Sequence, residues 1–214
     1  MYRRILFAIV AILLLTNCRR EEFVPDPNDK RLPQYTEEGN MIGGALVNEV
    51  AWRTRWERKA LGEYKAFYFT NYATGDSVTL DLQGKFIEGP MKEREFDFLL
   101  VLNGIQVKHV SDLIALEGRT FSLDGQKNYV IVNDYTDREN NSIKVIKGGI
   151  GTFSIKRTRE VTNQIYYRGS GQNKTPYHPL IVAGTFEFEF PAEGIKVESG
   201  RYDFFINDDE VIQK

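Results

Sequence analysis

Cysteine and histidine are nearly absent from this chain. A single Cys18 leaves no intramolecular disulfide to form and no thiolate cluster for a structural metal. Only His109 and His178 are available as imidazoles, and no G-x-S-x-G elbow is present, so the common nucleophile–base arrangements lack their parts. No metal, no cofactor and no enzymatic activity are therefore expected. An excess of charge of one sign is missing too: 28 basic residues face 30 acidic ones, which argues against a nucleic-acid partner. Past Leu15 no apolar run approaches the roughly 20 residues of a membrane-crossing helix. What is present is the composition of a folded chain. Its 214 residues are 42% hydrophobic and 13% aromatic, enough to bury a core without staples as one domain or a tightly joined pair.

The first residues read as an address. Arg3 and Arg4 form a positive head, Ile5 to Leu15 is uninterrupted apolar sequence, and the chain turns polar at Arg19-Arg20-Glu21-Glu22. Such a run is too short to span a bilayer and is the pattern of a secretory signal. Leu15-Thr16-Asn17-Cys18 resembles a bacterial lipobox, with Asn17 where Gly, Ala or Ser is usual, a variation found in the looser lipoboxes of Bacteroidota lipoproteins. The resemblance implies cleavage before Cys18, acylation of that residue and a lipid anchor in the outer membrane, on the cell surface or the periplasmic face. More than one acyl chain makes such an anchor stable. Arg19-Arg20-Glu21-Glu22 also resembles the charged segments that follow the lipidated cysteine in surface-displayed Bacteroidota lipoproteins.

Arg19 to Gln34 is charged and carries Pro25, Pro27 and Pro33, a composition that buries little and is expected to form an extended tether reaching about 50 Å. The organisation expected is a signal peptide over 1–17, a lipidated cysteine and tether over 18–40, and a single β-rich domain over 41–214.

Within that domain the apolar residues alternate. Val78, Leu80 and Leu82, then Phe153 and Ile155, then Phe186, Phe188 and Phe190, then Tyr202, Phe204 and Ile206, each alternate with polar neighbours as in strands with one wet face. Glu187 and Glu189 fall on the wet side. Phe96 to Leu102 and Tyr129 to Val132 are more continuously apolar, as in strands buried on both faces. Nine or ten strands are expected, with one short helix over Asp112–Glu117, capped by Ser111 and stopped by Gly118, and another turn of helix somewhere in Arg53–Tyr64. Asn163 to Pro179 reads as the longest loop. The fold class expected is mainly β, an antiparallel sandwich or an open barrel. Gly151-Thr152-Phe153 and Gly184-Thr185-Phe186 repeat a pattern, and both are read as strands opening after a turn glycine.

Candidate chemistry is sparse. His178 lies in a loop without a nucleophile or orienting acid in its motif, and His109 has no partner at helical spacing. The acids of Asn133 to Asn140 and Asp208-Asp209-Glu210 are oxygen donors of the kind Ca²⁺ takes, but neither fits an ordered calcium loop and both read as solvated turns. Asp76-Ser77-Val78 resembles the acceptor tripeptide of Bacteroidota O-glycosylation. Trp52, Trp56, Tyr166, Tyr167 and Tyr177 stand outside the alternating runs, at expected turns or strand ends, where flat rings could form a platform for a sugar or a protein.

Leu32-Pro33-Gln34 through Gly39, followed by Gly43-Gly44-Ala45-Leu46-Val47-Asn48-Glu49-Val50-Ala51-Trp52, resembles the opening of an uncharacterised family of Bacteroidota β-rich lipoproteins. Ile181 to Phe188 and Val197 to Phe204 resemble the last two strands of that family, and Glu49-Val50-Ala51 departs from its Gly-containing turn. The resemblance implies an architecture and an address, with no assigned activity. The function expected is a non-enzymatic binding or interaction module held to the membrane by its lipid, with a glycan or a protein as partner. The alternatives are a structural envelope or inhibitor-like protein, and an extracytoplasmic hydrolase using paired carboxylates.

Overall fold

The computed structural model describes residues 23–54, 67–72, 75–107, 109–137, 142–168 and 174–206. Fourteen strands occur among the described residues. They are β1 (Ile42–Val47), β2 (Val50–Thr54), β3 (Phe67–Tyr72), β4 (Gly75–Leu82), β5 (Gly84–Phe86), β6 (Phe96–Asn103) and β7 (Thr120–Asp124). Then follow β8 (Tyr129–Asp137), β9 (Ser142–Gly148), β10 (Ile150–Glu160), β11 (Tyr166–Arg168), β12 (Thr175–Tyr177), β13 (Leu180–Phe190) and β14 (Ile195–Ile206). A seven-stranded sheet runs β5-β2-β1-β14-β13-β10-β7, a five-stranded sheet runs β3-β4-β6-β8-β9, and β11 and β12 form a separate hairpin. Every pairing is antiparallel, and the sheets stay open rather than closing into a barrel, as in a β-sandwich.

Both sheets contribute to one core. Trp52, Phe153, Phe186, Phe188 and Tyr202 come from the larger sheet, and Leu80, Phe98, Leu100, Val130 and Val132 from the smaller. The alternation explains this: in β13 Phe186, Phe188 and Phe190 are buried while Glu187 and Glu189 are exposed. Each buried aromatic or aliphatic side chain contributes about 1.5–3 kcal/mol. β6 is buried on both faces as its continuous run suggests, whereas β8 alternates, with Val130 and Val132 buried and Tyr129 and Ile131 half-exposed.

The two Gly-Thr-Phe copies are adjacent strands of one sheet, with Phe153 paired to Phe186. Gly184 is not at a strand start, as its turn-like setting suggested, but in the middle of β13. The Tyr202 phenol passes over it to donate a hydrogen bond to the Ser154 carbonyl at 3.1 Å. Burial holds that phenol well above its usual pKa and keeps it a donor. A Cβ on Gly184 would stand 2.0 Å from the Ser154 carbonyl oxygen and 2.5 Å from the Tyr202 hydroxyl. Gly184→Ala is therefore expected to lower stability by about 3 kcal/mol, the upper end for overpacking. An unchanged denaturation midpoint would contradict this close approach.

The expected helix over Asp112–Glu117 is a 3-10 helix, Val110–Leu116, and begins after His109 rather than after Ser111. Its buried residues Val110, Leu113 and Leu116 are spaced by three, which lines one face of a three-residue turn. The Asp112 carboxylate accepts the His109 N–H at 3.0 Å. A second 3-10 turn, Pro191–Glu193, joins β13 to β14. Arg53 and Thr54 belong to β2, and the rest of the other expected helical segment, 55–64, lies outside the described residues. No helix among the described residues is long and apolar enough to cross a membrane.

The largest departure from expectation is residues 23–40, which do not form a free tether. They are a strap across the outer face of the seven-stranded sheet. The Arg53 guanidinium of β2 stacks over the Phe23 ring at 4.2 Å. The Asp26 carboxylate accepts the Asn28 N–H at 2.8 Å and pairs with Arg201 of β14. Leu32 is 1% exposed, and Pro33 lies so close over Gly44 of β1 that a Cβ there would come within 2.4 Å of its Cδ. Further on, the Asp203 carboxylate, 2% exposed, accepts the Thr36 hydroxyl and the N–H groups of Glu38, Gly39 and Asn40. Gly39 packs beside Ile181 and Phe205, and Arg159 of β10 donates to the Glu37 carbonyl at 3.0 Å. The composition is polar, but the segment satisfies itself through side-chain to backbone bonds rather than through apolar area. Leu32, Ala51, Ile181 and Ala183 are buried yet stand apart from the central cluster, a thin second layer on this side of the sheet.

Candidate functional site

The aromatic residues singled out by the sequence do not meet in one platform. Trp52 is 0% exposed, so the expectation that it offers a ring face at a strand end is corrected. Its indole N–H donates to the Phe96 carbonyl at 2.7 Å, and its ring tilts against Phe98 at 4.5 Å. Gly84 lies beneath the indole, where any Cβ would fall 2.2 Å from its Cζ2. Short β2 shows no alternation because Ala51 and Trp52, on opposite faces of the sheet, are both covered. Tyr177 is also buried, against expectation. Trp56 and Cys18 lie outside the described residues.

Tyr166, Tyr167 and Tyr177 do come together, in the β11–β12 hairpin. Asn163 to Pro179 is thus not a plain loop: Tyr166 pairs with Tyr177, Tyr167 with Pro176 and Arg168 with Thr175. Directly opposed residues share a face of a two-stranded ribbon, and neighbours alternate. Tyr166 and Tyr177 have ring centroids 6.0 Å apart, and Tyr166 lies 6.3 Å from Phe205, so this face docks the hairpin to β14. Ile165 and Tyr167, 58% and 60% exposed, fall on the opposite face with exposed Pro176. Ile165 and Pro176 were not singled out from the sequence. The i, i+2 spacing of Ile165 and Tyr167 was the available signal.

The hairpin is braced at its base. The His178 Nδ1 lies 2.7 Å from the Gln164 carbonyl, which only accepts, so Nδ1 carries the proton and the ring serves as a staple. The Val161 N–H donates to the Pro179 carbonyl at 2.9 Å. His109 is exposed at the start of the first 3-10 helix.

The acidic segment from Asn133 is not a turn as far as Asp137 but part of β8, and Asp134 forms a two-point ion pair with Arg94. Residues 138–140 and Asp208-Asp209-Glu210 lie outside the described residues. No group of three or more His, Cys, Asp or Glu is placed to hold a metal among the described residues. Ser77, of the glycosylation-like tripeptide, is 5% exposed within β4, which withholds its hydroxyl from a modifying enzyme in the folded chain. A shallow depression on the strap–sheet seam, lined by Pro33, Tyr35, Thr36, Ile42 and Tyr202 among others, has no room for a water molecule.

Comparison with protein-family models, with curated proteins and with solved structures finds no match to this chain.

Proposed function

We propose that this protein is a β-sandwich lipoprotein, anchored in the outer membrane through Cys18, that serves as a non-enzymatic interaction module. The address rests on Arg3-Arg4, the apolar run to Leu15 and the lipobox-like Leu15-Thr16-Asn17-Cys18. The resemblance to Bacteroidota β-rich lipoproteins supports the same reading. The interaction surface proposed is the outer face of the β11–β12 hairpin.

One observation carries that choice. Ile165 and Tyr167 are held in solvent by a hairpin whose other face is fixed by Tyr166, Tyr177 and Phe205. A rigid aromatic beside an aliphatic and a proline, with little left to order on contact, suits a protein partner. The exposed phenol can meet polar groups at the rim of such a contact.

The test is a photo-crosslinking residue placed at Tyr167 in intact cells, with Ser122 on β7 as the control position. A discrete adduct at 167, absent at 122, is expected. Once the partner is purified, the double substitution Ile165→Ala, Tyr167→Ala should weaken binding about tenfold or more, at ~1.4 kcal/mol per factor of ten, with the melting temperature unchanged. Equal adducts at both positions, or undiminished binding by the double variant, would overturn the hairpin assignment. Glycan binding that falls with Tyr167→Ala would replace the protein partner with a sugar.

A further inference from the structure

The docked strap changes how far the domain can stand from a membrane that holds Cys18. We infer that the sandwich is pressed against the lipid headgroups by the Phe23 end of its strap, with the β2 edge of the seven-stranded sheet facing down. The inference rests on the Cys18 anchor proposed above.

Four residues separate Cys18 from Phe23. Even fully extended, the five Cα steps between them span only about 17 Å. A free tether through Gln34 would have allowed about 50 Å. The strap removes that freedom because it is pinned from its first described residue. Phe23 lies under Arg53 of β2, Asp26 and Arg201 pair, and Arg31 bonds the Glu49 carbonyl and Glu88. Beyond Pro33 the Asp203 carboxylate holds residues 36–40. No slack is left between the anchor and the body except those four residues.

The consequence is directional. Phe23 sits over β2, next to the β5 edge of the sheet, whereas β7 is the opposite edge. Five strand spacings separate β2 from β7, about 24 Å at ~4.8 Å each. A body leashed within about 17 Å at one edge therefore presents β2 and β5 to the headgroups and β7 away from them. The partners this surface meets are lipid headgroups, whatever the ligand of the hairpin.

The test uses the mature acylated protein in phosphatidylethanolamine/phosphatidylglycerol vesicles that carry a headgroup spin-label quencher. A fluorophore is attached to a cysteine introduced by Val24→Cys at the leashed end, or by Ser122→Cys on β7. Both positions are solvent-exposed. Quenching several-fold stronger at 24 than at 122 is expected. Insertion of about twenty Gly and Ser residues between Glu22 and Phe23, which adds roughly 25 Å of flexible reach, is expected to abolish the difference. Equal quenching at the two sites without the insertion would overturn the orientation. A difference that survives the insertion would overturn the leash as its cause. The anchor is read separately on the parent chain, whose one cysteine is Cys18: an acylated Cys18 gives no maleimide adduct, and a labelled Cys18 thiol would overturn the anchor and this inference with it.

Discussion

Trp52→Ala is expected to cost about 3–5 kcal/mol, the largest loss for any single side chain in the core. The indole fills the space between Gly84 and Phe98, and no neighbour can collapse into it without moving a strand. Gly84 is backbone with no side chain to swing, and Phe98 is itself held edge-on by Phe96 and Phe188. Truncation also leaves the Phe96 carbonyl without the indole N–H that it accepts at 2.7 Å. For a chain of this size each kcal/mol moves the melting temperature by about 2–4 °C, so a drop of roughly 10–15 °C is expected in calorimetry. Trp52→Phe should recover part of the packing but not the hydrogen bond, and should fall between. A Trp52→Ala protein melting within a degree or two of the parent would contradict the placement of this ring. The same substitution should leave hairpin binding intact in the folded protein, because Trp52 has no exposed surface.

The second large effect is expected from Asp203→Ala, about 3 kcal/mol. Its carboxylate gathers one hydroxyl and three backbone N–H groups from residues 36–40, and removing it orphans all four at once. The loss has a ceiling: once the strap lifts, water satisfies those donors, so the cost cannot exceed the docking free energy of the strap. Asp203→Ala should therefore produce a core that still unfolds cooperatively and a strap cut by trypsin at Lys30 or Arg31. Thr36→Ala, which removes one donor and leaves the carboxylate, should cost about 1 kcal/mol and keep the strap protected. A strap equally resistant in Asp203→Ala would show that Asp203 is not its pin.

Acid should act on the same element. The Asn28 N–H, with the Arg201 guanidinium and the Asp29 N–H, holds the Asp26 carboxyl below its usual value. Arg31 does the same for Asp29. A folded pKa below the unfolded one, about 3.9 for aspartate, gives stabilisation that is complete above that value and lost as pH falls through the folded one. Strap amides should thus lose hydrogen-exchange protection below about pH 4, before those of β13 and β14. Because these carboxylates lie near the surface, the effect should weaken in high salt.

These elements differ in how far the sequence revealed them. β4, β10, β13 and β14 are legible because each carries two or three apolar residues in strict alternation: Val78, Leu80 and Leu82; Phe153 and Ile155; Phe186, Phe188 and Phe190; and Tyr202, Phe204 and Ile206. Three-residue β5, β11 and β12 are not, since their existence depends on register with a partner and not on a pattern of their own. The strap is hidden in the sequence because proline and aspartate ordinarily mark solvated segments. At Asp26 and Asp29 they are turn formers that bond their own backbone, and the pins at Arg201 and Asp203 lie more than 160 residues away. The burial of Trp52 is hidden for a related reason: with the sheet covered on both faces, β2 has no wet side to betray its inner one. Of the candidate site, the sequence offers Tyr166, Tyr167 and Tyr177 only as part of a wider aromatic set with Trp52 and Trp56; bringing these three together, and dividing them between a docking face and an exposed face, required the hairpin.

The most direct test of the central claim is the intact mass of the protein recovered from the membrane fraction of its own cells, with Cys18→Ala alongside. A lipid anchor at Cys18 requires a chain that begins at Cys18 and carries acyl chains on that residue, and a Cys18→Ala protein that leaves the membrane fraction. A membrane-recovered chain with an unmodified Cys18, or a Cys18→Ala protein that stays bound, would contradict it.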